Sequence, residues 1–395
     1  MKLLFVADGR SPIALNWIRH CVHLGHEVHL ASTYPCQPEF PLASLAIIPA
    51  AFGEIAGERK DEQPGGSAAR RRAAFRRLIP VGARTWLRQF AGPLTLPRAA
   101  RRLREVVAAL KPDIVHAMRI PFEGMLAAQA LRSPAPALLV SVWGNDFTLH
   151  APSNPWMGWL TRQALQRADG LHTDCARDQK LARRWGFAAG KPGIVLPGNG
   201  GIDTALFAPA PLEDRLPLIL NPRGIRSYVR NDTFFQAIPL VLAQQSEARF
   251  LCVGMAGEAQ ALRWVDQLQI AAAVDLLPRQ APAQMADLFR RAQVVVSLTE
   301  HDGTPNTLLE ALACGCYPVA GDIEALREWI TPGRNGRLTP PGDPPALAEA
   351  LLAALQSPAQ RLSAAQENRR LIEQRAELRV CMAQAEAFYR SLRYN

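Results

Sequence analysis

Short apolar runs and amphipathic stretches alternate along most of the chain, with the same rhythm in both halves. "KLLFVA" (2–7) reads as a strand, "SPIALNWIRHCVHLG" (11–25) as a helix stopped by Gly25, and "EVHLAS" (27–32) as a second strand. Further strands are expected in "DIVHAM", "ALLVSVWG", "GLHTDC" and "GIVLPG". The second half restarts with "LPLILNPRG", a helix over 233–245, "ARFLCVG", a helix over 258–267, "AVDLLP" and a helix over 282–292. "VVVSL", a helix holding Glu310 and "CYPVAG" complete it. Strands separated by helices imply parallel sheets with right-handed crossovers, so the expected fold is α/β with two doubly wound sheets. No segment repeats as sequence; only the βα rhythm does.

The seam is expected in "LPGNGGIDTALFAPAP" (196–211), rich in Gly and Pro and without helical periodicity. This predicts an N-terminal domain over 1–200, a C-terminal domain over 201–375 and a last helix, 376–395, packing back on the first domain. Ligands of open α/β sheets collect outside the carboxyl ends of the strands, so two such domains facing each other predict a cleft, and function is expected there.

Composition narrows the class. At 395 residues the chain exceeds what one core usually serves, and its 48% hydrophobic and 20% charged residues are those of an ordinary globular protein. No apolar run reaches the roughly 18–20 residues of a bilayer span, and the N-terminus reads as a strand and not as a signal peptide. Seven cysteines at scattered positions form neither a paired framework nor a zinc spacing, which points to a reducing cytoplasm. The net charge of +10 is uneven: the first 200 residues carry 26 Lys and Arg against 14 Asp and Glu, the remainder 19 against 21. Much of the excess lies between Arg59 and Arg104, where arginines interleave with Phe75, Leu78, Ile79, Trp86, Leu87 and Phe90. Two readings stand for it: a solvated helix face packed on its own domain, or peripheral contact of region 70–104 with an anionic membrane surface. The sequence holds no recognised nucleic-acid module, so no nucleic-acid partner is expected.

"SLTEHDGTPNTLLEALACGCYPVAG" (297–321) places two acids, Asp302 and Glu310, eight residues apart around a strand-to-helix loop. Pro305 suits the first helical turn, and the N–H groups of Asn306 to Leu308 then lie at a helix N-terminus, where anions bind. Gly303 lets backbone approach a ligand closely. Glu310 sits about one turn into the helix, and a carboxylate there accepts hydrogen bonds from the paired hydroxyls of a ribose or sugar.

Residues 302–320 closely resemble the E-x7-E region of retaining GT-B glycosyltransferases of family 4, with Asp302 and Glu310 in the two acidic positions. "GNGGIDTALFAP", "KPDIVHAMRIPFEG", "SVWGNDF" and "DGRSPIALNWIRHCVHLGHEVHL" are similar to other segments of that family, and the resemblance thins between about 50 and 105. The resemblance implies a nucleotide-sugar donor held by Asp302, Gly303, Thr304, Asn306, Thr307 and Glu310, with Gly9, Arg10 and Ser11 closing over the phosphates. Asp replaces the commoner Glu at the first acidic position, and Glu300 is the competing acid, at a spacing of ten. Relatives carry H-x-H where this chain has His116 and Met118, so His116 stands as a catalytic candidate or as a satisfied histidine at a strand end. They also carry Arg and Lys on the diphosphate; here Arg223 matches, Tyr228 takes the second place, and Arg226 or Arg230 is expected to supply the cation. Arg119 and Asp146 are acceptor-side candidates, Asp146 equally a helix N-cap.

The implied activity is metal-independent transfer of a hexosyl group to a hydroxyl of a glycan or lipid-linked glycan, through an oxocarbenium-like transition state, with Asp302, His116 and Arg223 at the reacting centre and no cofactor. The setting is the cytoplasm, with the inner membrane face as the place of contact. His20, His23, His26 and His29 recur every third residue, but Gly25 separates helix from strand, so no metal site is expected. "GNGGID" lacks the third glycine of a dinucleotide fingerprint. A phosphorylase or epimerase of the same fold, and a non-catalytic nucleotide-sugar-binding protein, are the alternatives.

Overall fold

The computed structural model describes residues 1–52, 88–131, 135–211 and 216–393. Residues 70–87 of the basic region therefore lie outside the described residues. The chain forms two units, one of Met1–Asp174, Asp178–Gly200 and everything from Gln384 on, the other of Cys175–Arg177 and Gly201–Ala383.

The first unit is built on seven strands: β1 (Lys2–Ala7), β2 (Glu27–Ser32), β3 (Ser44–Ile47), β4 (Ile114–Ala117), β5 (Ala137–Val142), β6 (Gly170–Thr173) and β7 (Gly193–Val195). They lie in the order β3-β2-β1-β4-β5-β6-β7, every neighbouring pair parallel. The second unit has β8 (Leu216–Asn221), β9 (Arg249–Val253), β10 (Val274–Leu277), β11 (Ala292–Ser297), β12 (Tyr317–Gly321) and β13 (Arg337–Thr339). Their order is β10-β9-β8-β11-β12-β13, again all parallel. The protein is thus an α/β fold of two doubly wound sheets. The strands read from the hydrophobic pattern are present. The short edge strands β3 and β13 are additions; β3 lies in the apolar run 45–48, with Ser44, Leu45 and Ile47 exposed and only Ala46 half-buried within the strand.

Burial on both faces explains the near-continuous apolar strands. In β8, Ile219 packs into one core cluster and Leu218 and Leu220 into another; in β11, Val294 and Val296 face the first and Val295 the second. In each sheet the strand order reverses, between β1 and β4 and between β8 and β11. Exit loops diverge at that point and leave the crevice where ligands of such sheets settle. At the seam, Gly201 has φ +119°, and a Cβ there would stand 2.8 Å from the Cα of Leu378. Only glycine fits where Ile202 donates to Ala376 O at 2.7 Å and Leu378 donates back to Ile202 O at 3.0 Å.

The final helix, Leu378–Arg393, brings Tyr389 into the interior of the first unit. There a chain of buried polar groups runs from Trp17 to Leu196. Trp17 Nε1 donates to Tyr389 Oη (2.8 Å), which meets His116 Nδ1 (2.6 Å); His116 Nε2 meets Ser141 Oγ (2.8 Å), which meets His172 Nδ1 (2.8 Å). His172 Nε2 closes the chain on Leu196 O at 2.9 Å. An indole N–H only donates and a carbonyl only accepts, and with both imidazoles neutral one orientation of the four groups between satisfies every link. Burial agrees, holding His116 well below the usual histidine range and His172 down to about 4. Both folded-state values lie below the unfolded one, so their contribution is present above about pH 6.5 and is lost as the pH falls toward 4.

Replacing Tyr389 by Phe strands the Trp17 donor and the His116 acceptor together. We expect it to destabilise the fold by about 2–4 kcal/mol in urea unfolding at pH 7.5; a loss under half a kcal/mol would mean that the chain is not continuous.

Candidate functional site

In the second unit, the loops leaving β8 and β11 are stitched together. Arg230 N donates to Leu298 O at 3.2 Å and Glu300 N to Tyr228 O at 3.0 Å, around a bridge between Val229 and Thr299. Within this frame Arg223 and Asp302 form an ion pair, their side chains 6% and 17% exposed. Arg223 is positioned from its backbone. Its N–H donates to Asn221 Oδ1 (3.2 Å), Asn221 Nδ2 to Asn231 Oδ1 (3.0 Å), and Asn231 Nδ2 to Gly224 O (2.9 Å). Asp302 turns its other oxygen to the N–H of Gly303 at 3.1 Å.

The helix that follows spans Asn306–Ala313, so Pro305 is its N-cap residue, one place before the expected first-turn position. Leu308 and Leu309 both donate back to Pro305 O, at 3.0 and 3.3 Å. The helix start therefore presents the amides of Asn306 and Thr307, and Leu308, expected to join them, does not. Thr304 is occupied as well, its hydroxyl accepting from Trp329 Nε1 at 3.0 Å. Asn306 Oδ1, Thr307 Oγ1 and Arg223 Nε are buried without a hydrogen-bond partner among the described residues. Buried polar atoms normally have partners, and three orphans about one ion pair mark a place made for a polar ligand.

Glu310 lies one helical turn beyond Asn306 and, among the described residues, its carboxyl has neither a hydrogen bond nor an ion pair. Burial alone pushes it up to about 7. Arg226 is exposed and donates to Tyr228 Oη at 3.0 Å. Arg230 is committed elsewhere, with Nη2 on Asp232 at 2.8 Å and Nη1 on Glu300 at 2.7 Å. The structure thus gathers Arg223, Asp302, Gly303, Asn306 and Thr307. It turns Arg230 away, and it occupies Glu300, the rival acid, with that same arginine.

The first unit answers differently. His116 is fully buried with both ring nitrogens engaged, so the expectation of a catalytic role is corrected: this is a core histidine. Asp146 is buried and holds Arg119 Nε at 2.8 Å while accepting from Trp143 N (3.1 Å) and Ile120 N (3.4 Å). It braces the exits of β4 and β5 and does not cap a helix. Gly9 is required by packing, since a Cβ would lie 2.3 Å from Cys36 Sγ. Arg10 is forked onto Asp8 at 3.0 Å and stacks 3.6 Å over Tyr34, and Ser11 spends its hydroxyl capping the helix Pro12–His23.

One buried group escaped sequence reasoning. Glu123, 3% exposed, accepts from Thr33 Oγ1 at 2.8 Å, and its second oxygen has no partner among the described residues. Burial raises its carboxyl, against the pull of Arg88 and Arg119. The signal was an acid inside the apolar run "RIPFEGML".

Comparison with known proteins follows the same two units. The model for "Glycosyl transferase 4-like domain" matches residues 9–198, and that for "Glycosyl transferases group 1" matches 225–357. A phosphatidyl-myo-inositol mannosyltransferase of Mycolicibacterium smegmatis is 28% identical over 293 residues, 62% of this chain and 73% of that protein. Sucrose-phosphate synthase from Thermosynechococcus elongatus superposes with a TM-score of 0.75 at 16% identity, covering 99% of each chain. Anabaena HepE, solved with UDP-glucose, superposes with a TM-score of 0.70 at 14% identity, over 99% of this chain and 100% of that one.

The raised Glu310 carboxyl has a consequence for stability. Its folded-state value lies above the unfolded one, so the native state binds the extra proton and stability falls as the pH rises from about 4.5 through 7. Glu310→Gln removes that cost. The variant should melt above wild type at pH 8, by about 1–3 kcal/mol, and with it at pH 4.5; equal melting at both pH values would show an ordinary carboxyl.

Proposed function

We propose that this chain, which belongs to the group 1 glycosyltransferases of the GT-B fold, moves a sugar from a nucleoside-diphosphate donor to a hydroxyl acceptor with the anomeric configuration kept. The observation that carries the reading is the Arg223–Asp302 pair at the strand-order reversal of the second sheet, flanked by unpartnered polar atoms and by the isolated carboxyl of Glu310. Arg223 and the amides of Asn306 and Thr307 take the diphosphate and meet the charge that grows on it as the anomeric bond breaks. Asp302 accepts hydrogen bonds from the sugar hydroxyls, and Glu310 from the ribose. These fixed donors supply the positive charge, so the reaction runs without a metal. The leaving phosphate receives the acceptor's proton on the same face, which accounts for retention without an enzyme nucleophile. Arg226 donates to Tyr228 and, against desolvation, is raised by Tyr228 and by the charge of Asp302; it is the second cation of the site. The acceptor is a glycan or a lipid-linked glycan; the relative's name, a phosphatidyl-myo-inositol mannosyltransferase, supports the lipid-linked kind.

A surface of the first unit supports work at the cytoplasmic membrane face. Among the described residues, no helix is long and apolar enough to cross a membrane. Phe90, Leu94, Trp156 and Trp159 are nevertheless exposed. Gln89 ties their segments together, its carbonyl accepting from Asn154 Nδ2 at 3.3 Å. Arg98, Arg101 and Arg102 are exposed on the adjoining helix, Leu96–Leu110. Aromatic rings beside arginines suit an anionic lipid surface.

Thermal melting with UDP-, GDP- and ADP-sugars tests the donor: one class should add roughly 2.7 kcal/mol at about a hundred times its dissociation constant, and Asp302→Ala and Arg223→Ala should lose the effect. Stabilisation by none, or undiminished in both variants, would defeat the site. Nucleotide release should require a hydroxyl acceptor and yield the retained anomer by NMR. Sedimentation with phosphatidylglycerol vesicles should pull down wild type and spare Trp156→Ser/Trp159→Ser; equal binding of the two would remove this surface from the account.

A further inference from the structure

One terminal nitrogen of the Arg223 guanidinium is already held by the carboxylate of Asp302, while Nε has no hydrogen-bond partner among the described residues, so an incoming anion meets an arginine whose charge Asp302 shares. Both side chains are largely covered, and the two loops carrying them are held together by backbone hydrogen bonds between Arg230 and Leu298 and between Glu300 and Tyr228. Neither of the nearest alternatives offers Arg223 a different carboxylate: Glu300 is taken by Arg230, and Glu310 stands on the helix with no partner among the described residues.

We infer that Asp302 is an internal competitor for the diphosphate, so that the site discriminates a nucleoside-diphosphate sugar from the bare nucleoside diphosphate. The inference rests on the donor-site reading above. A sugar nucleotide brings two things at once: phosphate oxygens for the guanidinium and sugar hydroxyls for the carboxylate. Asp302 then exchanges one set of hydrogen bonds for another, and its negative charge remains satisfied by donors. A nucleoside diphosphate brings only the anion. It draws the Arg223 charge from Asp302 and sets that carboxylate beside a phosphate, a like-charge contact left to Arg226 and the Gly303 N–H to offset. Once the sugar has left, the same carboxylate returns to Arg223 and drives the product out. Specificity for the loaded donor and release of the spent nucleotide are then one device, made of a single aspartate.

The test compares binding of nucleotide with and without the sugar. Using whichever base stabilises wild type, isothermal titration is run with the diphosphate and with its hexose ester on wild type, Asp302→Asn, Asp302→Ser and Arg223→Ala, each checked for an intact fold by its melting curve. Removing the carboxylate charge should tighten the bare diphosphate about tenfold while the sugar nucleotide binds more weakly. The product-inhibition constant should fall in step. If both Asp302 variants bind the diphosphate as wild type does, or more weakly, the competitor role is overturned even though the donor site stands. If no nucleotide binds wild type, or Arg223→Ala binds both ligands unchanged, the donor-site reading itself fails and the inference with it. The serine variant guards against an asparagine that keeps a hydrogen bond to Arg223.

Discussion

Where the strand order of a parallel sheet reverses, neighbouring strands send their chains to opposite sides and no crossover covers the ground between them. In the second unit this happens between β8 and β11, and everything chemical there depends on it. The exit of β8 supplies Arg223 and the exit of β11 supplies Asp302, from positions 79 residues apart in the chain. A sheet buried on both faces cannot slide by one residue without turning its whole apolar set over, so the register that packs Ile219 against Val294 also sets the two loops opposite each other.

In the first unit one buried polar chain is closed, with Trp17, Tyr389, His116, Ser141, His172 and Leu196 linked in series and Asp146 holding Arg119, although Glu123 Oε2 and Trp143 Nε1 there lack partners among the described residues. The closed chain fixes the place of the last helix and itself leaves nothing to bind with. In the second, polar groups are buried and left incomplete. Arg223 Nε, Asn306 Oδ1 and Thr307 Oγ1 lack hydrogen-bond partners among the described residues, and burial pushes the Glu310 carboxyl up to about 7. Incompleteness of that kind destabilises a fold, and it is retained where a ligand completes it.

Much of this was legible in the residues. Apolar runs of four to six residues between amphipathic stretches marked the principal strands. The loop 302–310 announced itself through its glycine, its proline and its two acids. Reading failed where a residue's role depends on what lies across the sheet. His116 occupies the place of a motif histidine, yet β4 sets it between Ser141 on β5 and Tyr389 on the last helix, 273 residues away in sequence. Arg226 and Arg230 could not be told apart by spacing; Glu300 and Asp232 separated them by engaging the second. Glu123 went unnoticed because an acid in an apolar run carries no label until its burial is known.

The sequence by itself determined the two doubly wound sheets, the family and the acidic loop, because hydrophobic period, turn residues and motif spacing are local properties of a chain. The tertiary structure alone decided which arginine meets Asp302, which histidine is spent inside the core and which polar atoms are left without partners. Hydrogen bonds and ion pairs are short-ranged and are shared out among groups distant in sequence, so the allocation exists only once the chain has folded.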